Sequence, residues 1–333
     1  MRLCGEARTG RIPTRVSLCV RHGCPVTDYR ELLALDNSAL ARVDPLLMNL
    51  LVAKGIPALA HLDIQAYQRR ANYWGEQIRL RLPHIEREFH ESPHEWKNDI
   101  RFFRLGVVCG FVEHDLGVAY HEDQRTAKQI LYTNPSDLFL NGVMDERRGT
   151  CGNMATLHLA LGWRMGWPVS LACAGSHYLL RFDDGQVTHN IEATQAGHGG
   201  FKSDPDDELM RNFQLPPIAA QCGSDLRALK PREVLGTFIG LRARHMRDTD
   251  RLPEALGDYT LARWLYPSSR RLYIDAMLLT LQQSWGLFVN GETGSARSVF
   301  NLLLEQYGAQ WGFGHMMHDR LLAIARTGLE PRG

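Results

Sequence analysis

Between Arg147 and Thr194 the chain reads RRGTCGNMATLHLALGWRMGWPVSLACAGSHYLLRFDDGQVTHNIEAT: a cysteine, then a histidine, then an acid, each at the edge of a different element. Gly149 and Thr150 precede Cys151, a flexible residue followed by a hydroxyl suited to capping a helix. Met154, Leu157, Leu161 and Met165 then repeat at spacings of 3, 4 and 4, which predicts a helix. Gly166 ends it and Pro168 prevents its return. Val169 to Cys173 is expected as a buried strand, Gly175-Ser176 as a turn and His177 to Phe182 as a second strand. Asp183-Asp184-Gly185 is a hairpin signal, with Gln186 to Glu192 returning. Turns this tight require antiparallel neighbours, because a parallel crossover needs a far longer connection. Cys151 is thereby placed at a helix N-terminus, where free N–H groups and the positive dipole end favour a thiolate.

Three phrases carry a family likeness: Gly149-Thr150-Cys151, Gly175-Ser176-His177-Tyr178 and Ile191-Glu192-Ala193-Thr194. In order and spacing they resemble the transglutaminase-like superfamily, a branch of the papain-like cysteine enzymes, over roughly residues 45 to 200. The resemblance implies Cys151 as nucleophile, His177 as its base and Glu192 as the group that orients His177. Glu192 stands where the family usually has Asp, and Ala193 replaces the usual Pro. The implied fold is α+β: a papain-like, transglutaminase-like core, with the cysteine helix packed on an antiparallel sheet and an all-α region after it. The implied organisation is an N-terminal arm over 1–30, a transglutaminase-like domain with a helical front end over 31–230, and helices over 231–333.

The front end is helical by pattern. Asp44 to Val52 reads as a short apolar helix. Asp63 caps a long one, with Ile64, Tyr67, Ala71, Trp74, Ile78 and Leu82 on one face and Pro83 closing it. Ser92-Pro93-His94-Glu95 has the order of a capping box, opening a helix that carries Trp96, Ile100, Phe103, Val107 and Phe111. Asp137 to Met144 is expected as another short helix leading to the nucleophile loop. After Pro231 no strand signal remains. Ala255, Tyr259, Ala262 and Pro267 fall at the spacing of the second helix of a tetratricopeptide unit, with Ile239, Ala243 and Met246 in first-helix positions. This region reads equally as helices packed on the core or as a tetratricopeptide-like surface for a protein partner.

Composition narrows the function. A net charge of +1 gives no electrostatic reason to expect a nucleic acid or an anionic membrane as partner. No apolar run approaches the roughly 20 residues of a membrane span, and the N-terminus lacks the apolar core of a secretory signal. Seven cysteines are an odd number spread over 333 residues, which suits a reducing, cytoplasmic setting better than a disulfide framework. Cys19, His22 and Cys24 lack the further ligands a zinc site needs, and the expected chemistry requires no metal or organic cofactor.

Cys109 and Cys173 sit in apolar surroundings and read as core residues. Cys151 is flanked by turn-forming Gly, Thr, Gly and Asn, and Arg147 and Arg148 add positive charge nearby. On a regular last strand Asn190 and Glu192 share a face, so either is able to orient His177, and the family register favours Glu192. His158 lies about two turns along the helix from Cys151, too far to be its base; His189 and His198 are weaker alternatives to His177. The expected activity is cysteine-dependent acyl transfer, with hydrolysis of a peptide or amide substrate through a thioester on Cys151. Amine transfer, either cross-linking or of the arylamine N-acetyltransferase type, is the other chemistry such a triad supports. A scaffold protein that keeps only the shape of such a site is the alternative from a different class.

Overall fold

A helix can run through a protein interior when other elements cover every side and its few polar side chains find hydrogen-bond partners there. The helix that begins at Cys151 meets this condition. In the computed structural model, which describes residues 20–21, 24–125, 127, 130–195, 201–295 and 297–298, it runs Cys151–Arg164 and is buried at every position from Gly152 to Trp163. One side packs on a three-stranded antiparallel sheet of Val169–Ala174 (β1), His177–Asp183 (β2) and Thr188–Ile191 (β3), in the order β1-β2-β3. The register pairs Ala174 with His177 and Leu180 with both Leu171 and Ile191. The other sides meet helices Pro45–Lys54, Ile64–Glu91, Ile100–Gly110 and Leu140–Glu146. The fold is thus α+β, with a papain-like core around the cysteine helix. The connections are as short as the turn residues required: Gly175 and Gly185 both take positive φ.

Three front-end boundaries differ from the sequence expectation. The long helix does not stop at Pro83 but continues to Glu91. Pro83 is exposed and removes a single intrahelical bond, the one to the carbonyl four residues before it. Beyond it the last turns are anchored by buried Phe89, 5.6 Å from the Phe103 ring, and by a 2.6 Å ion pair between Glu86 and Arg104. Because only that one bond and the proline's steric clash oppose the helix, Pro83→Ala should raise stability by about 1–3 kcal/mol in urea melts. An unchanged or lower midpoint would mean that the backbone geometry Pro83 imposes is needed for packing.

The second difference is at Ser92-Pro93-His94-Glu95, which forms only a 3-10 turn, Pro93–Trp96. Lys97 and Asn98 both adopt left-handed φ, 56° and 55°, which breaks the helix. The α-helix restarts at Ile100 with Asp99 as cap, its carboxylate accepting from the Arg101 N–H at 2.8 Å. The break lets Trp96 turn back edge-on against Phe103, with ring centres 4.9 Å apart. The third is the segment from Asp137, where a 3-10 turn, Pro135–Asp137, precedes the helix Leu140–Glu146.

From Pro231 on, the described residues contain helices and no strand. Pro231–Asp248 and Leu252–Leu265 form a hairpin in which Gly236 lies against Leu265 and Arg242 pairs with Asp258. Ala255, Tyr259 and Ala262 are fully buried, and Arg270–Val289 packs beside the hairpin. A single apolar cluster runs from Tyr29 through the Cys151 helix to Leu279. No helix among the described residues is long and apolar enough to cross a membrane. Cys4, Cys19, His22, His198 and most of the expected 1–30 arm lie outside the described residues, as does everything after 298.

Candidate active site

The loop before Cys151 is fixed before the helix begins. Strand Ala119–Tyr120 pairs in parallel with Arg148–Gly149, and the His121 N–H donates to the Gly149 carbonyl at 2.9 Å. Gly149 is required there, because a Cβ would come within 2.6 Å of both Asn153 Oδ1 and Met154 Cγ. Thr150 does not spend its hydroxyl on the helix end alone, since it donates to the Asp137 carbonyl at 2.8 Å. Asn153 accepts from the Thr150 N–H at 2.8 Å and donates to the Ser136 and Phe139 carbonyls. Cys151 is therefore held, half-buried, as the first residue of the helix. Its N–H has no intrahelical acceptor and is free for an external oxygen.

The hairpin brings the two other residues to it. The Gly175-Ser176 turn places His177 at the start of β2, where its ring and the Cys151 thiol shift each other's titration in opposite directions. His177 Nε2 is 2.7 Å from Glu192 Oε2, which leaves Nδ1 for the sulfur. Glu192 lies one residue past the end of β3, and its other oxygen accepts from the Thr194 N–H at 2.9 Å and hydroxyl at 2.6 Å. Thr194 thus folds back the longer glutamate arm, so that a Glu sits where an Asp is usual. Phe213 stacks on the His177 ring at 5.1 Å and an interplanar angle of 17°.

The charges agree with this geometry. Burial raises the Cys151 thiol, but the hydrogen bond and charge of His177, the Tyr178 N–H and the charge of Arg271 more than offset it and hold it below the usual thiol range. Burial disfavours the His177 imidazolium, yet Cys151 and Glu192 together raise its pKa. Burial likewise raises Glu192, and His177 and Thr194 bring it below the usual carboxylate value. All three shifts favour a thiolate–imidazolium–carboxylate row. Cys109 and Cys173 move the other way, burial pushing Cys173 up to about 12 and Cys109 further still.

The remaining sequence candidates are placed elsewhere. Asn190 binds Arg181 and Asp206 at 2.8 Å each, not His177. His189 pairs with Asp99 at 3.0 Å, and buried His158 bonds the Met154 carbonyl within its own helix. Arg147 does not supply the expected charge. Its left-handed backbone turns it onto the Trp74 ring, 5.0 Å away, and the cation that acts on the sulfur is Arg271. Phe213 and Arg271 carry no local signal in the sequence, whereas Thr194 and Asn153 are part of the phrases already noted. Among the described residues no group of three metal-binding side chains comes together.

A cysteine at a helix start, beside a histidine that an acid just past the neighbouring strand holds, on an α+β core, is the arrangement of the papain-like class of thiol site. Residues 77–239 match the family model of the transglutaminase-like superfamily. The superfamily commonly contains cysteine enzymes. Comparison with curated proteins gave no match. Among solved structures, the crystal structure of menin that describes its binding site for Mixed Lineage Leukemia protein is similar, at 11% identity and a TM-score of 0.36. That similarity covers 90% of this chain and 75% of menin's.

Proposed function

We propose that the protein is a cysteine-dependent acyl-transfer enzyme that hydrolyses a peptide or amide bond through a thioester on Cys151. The observation that carries this reading is the 2.7 Å contact of His177 with Glu192, with His177 and Cys151 close enough to shift each other's titration. His177 takes the thiol proton, and the Cys151 sulfur attacks the substrate carbonyl, forming an S–C bond. The Cys151 N–H faces the oxyanion that develops on the carbonyl oxygen. As the tetrahedral intermediate collapses, the C–N bond breaks and His177 returns its proton to the leaving amine. Water, deprotonated by His177, then attacks the thioester and releases the acid and the thiol. Glu192 holds the imidazole in the tautomer and orientation these transfers need.

The test is the iodoacetamide rate at each cysteine as a function of pH, read by peptide mass spectrometry. The sign follows from the shifts: with the Cys151 thiol held below the usual range and Cys109 and Cys173 pushed above it, Cys151 keeps the larger thiolate fraction as the pH falls. Cys151 should therefore react well ahead of Cys109 and Cys173 at pH 6–7, and His177→Ala should slow it. Glu192→Ala should slow it less, because the ring remains. An ordinary thiol profile at Cys151, unmoved by His177→Ala, would sink the catalytic reading and favour a scaffold.

A further inference from the structure

The Gly175-Ser176 turn sets the position of His177, and its two peptide groups are both held from outside the sheet. The Gly175 N–H donates to Asp225 Oδ1 at 2.5 Å. The Ser176 carbonyl accepts from Arg271 Nη1 at 3.0 Å. Arg271 lies in the first turn of Arg270–Val289 and is itself fixed by Asp275, whose carboxylate is 2.7 Å from Nε. Asp275 is shared with Arg247, 3.6 Å away, which pairs with Asp248 at 2.8 Å. Asp248 accepts the Tyr132 N–H at 3.0 Å, and His245 Nδ1 bonds the Tyr132 carbonyl at 2.9 Å. This row of ion pairs and hydrogen bonds runs from the histidine turn to a second wall of the site.

We infer that the helices after Pro231 complete the active site, with Arg271 as its positioning residue: the guanidinium holds the carbonyl leading into His177 and sets a permanent positive charge within reach of the Cys151 sulfur. A guanidinium suits this place because its planar fork serves the carbonyl and the carboxylate at once and stays charged at every working pH. The other groups facing the sulfur are His177 and the phenols of Tyr120, Tyr132 and Tyr178, all three raised mainly by burial and by the thiolate's own charge or that of neighbouring groups. None of the phenols is a cation, so the charge that stabilises the thiolate comes from His177 and Arg271, beside the Tyr178 N–H. This inference rests on the catalytic reading of Cys151 and extends it to a residue 120 positions away in the chain (271 against 151).

The experiment is the same alkylation profile on the full chain, with Arg271→Gln, Arg271→Lys and Asp275→Asn beside the wild type and His177→Ala. Buried Cys173 is the folding control, because it stays unlabelled while the fold holds. Arg271→Gln should raise the apparent pKa of Cys151, seen as a roughly 3- to 10-fold slower reaction on the acid limb of its profile. Arg271→Lys, which keeps the charge but not the fork, should recover part of that loss. Arg271→Gln with a wild-type profile and a protected Cys173 would overturn the inference. If that variant exposes Cys173, Arg271→Lys and Asp275→Asn decide: slower Cys151 labelling in both supports the role, and unchanged profiles in both reject it. A wild-type Cys151 that is an ordinary thiol, indifferent to His177→Ala, takes down the catalytic reading first, and this inference with it.

Discussion

Cys151→Ala is expected to stop turnover and to retain the substrate. With the sulfur gone no thioester forms, while the loop that holds the position is kept by Gly149, Thr150 and Asn153, whose bonds do not involve the thiol. Against the peptide or amide that the Cys151→Ala protein captures, the substitution should cost about 10^5-fold or more in kcat, the size expected when a member of a nucleophile–base pair is removed. His177→Ala should cost about as much, and the double variant no more than either, because the two residues act as one unit. Glu192→Ala should cost less, about 10^4-fold, since it loosens and misorients the imidazole without removing it. The wild type, stopped early in turnover, should carry the acyl mass on the Cys151 peptide. Turnover that survives Cys151→Ala would refute the mechanism.

The largest expected effect on stability is at Arg164, the last residue of the same helix. Its guanidinium grips Asp44 through two bonds, 2.6 and 3.1 Å, with the side chains only 6% and 1% exposed. Asp44 also caps the Pro45–Lys54 helix through the Leu46 N–H at 2.9 Å, so one carboxylate fixes two helices. Arg164→Ala would leave that charge buried without its cation and should cost about 3–5 kcal/mol. Asp44→Asn combined with Arg164→Met keeps the cap and removes the stranded charge, and should cost clearly less than Arg164→Ala. Urea melts check both, as a lower midpoint at unchanged slope. A loss below about 1 kcal/mol for Arg164→Ala would mean that water reaches Asp44 once the arginine is gone.

What the chain discloses by itself is local. The Cys151 helix, the two tight turns and the three antiparallel strands follow from apolar spacing and from Gly at places that need positive φ, and residues 168 to 194 pair accordingly. The pointer to Cys151, His177 and Glu192 came from the family likeness of the three phrases that hold them, while the short hairpin that brings the strands back to the helix was legible in its turn residues. Where local signals compete, the outcome depends on distant partners. Pro83 is an ordinary stop signal, overridden because Phe89 and Glu86 find Phe103 and Arg104 beyond it. Ser92-Pro93-His94-Glu95 is an ordinary start signal, overridden because Trp96 packs better turned back on Phe103.

The choice between Asn190 and Glu192 was settled only in three dimensions, where Arg181 and Asp206 engage the first and the Thr194 hydroxyl bends the second toward His177. Electrostatics was the least legible part. Arg147 and Arg148 stand next to the cysteine in sequence, yet backbone handedness turns Arg147 away, and the charge that reaches the sulfur comes from Arg271. Hydrophobic period and turn chemistry act over a few residues and are written into neighbouring positions. A coulombic or stacking contact depends only on distance through space, so the tertiary structure alone brought Arg271 and Phe213 to the site.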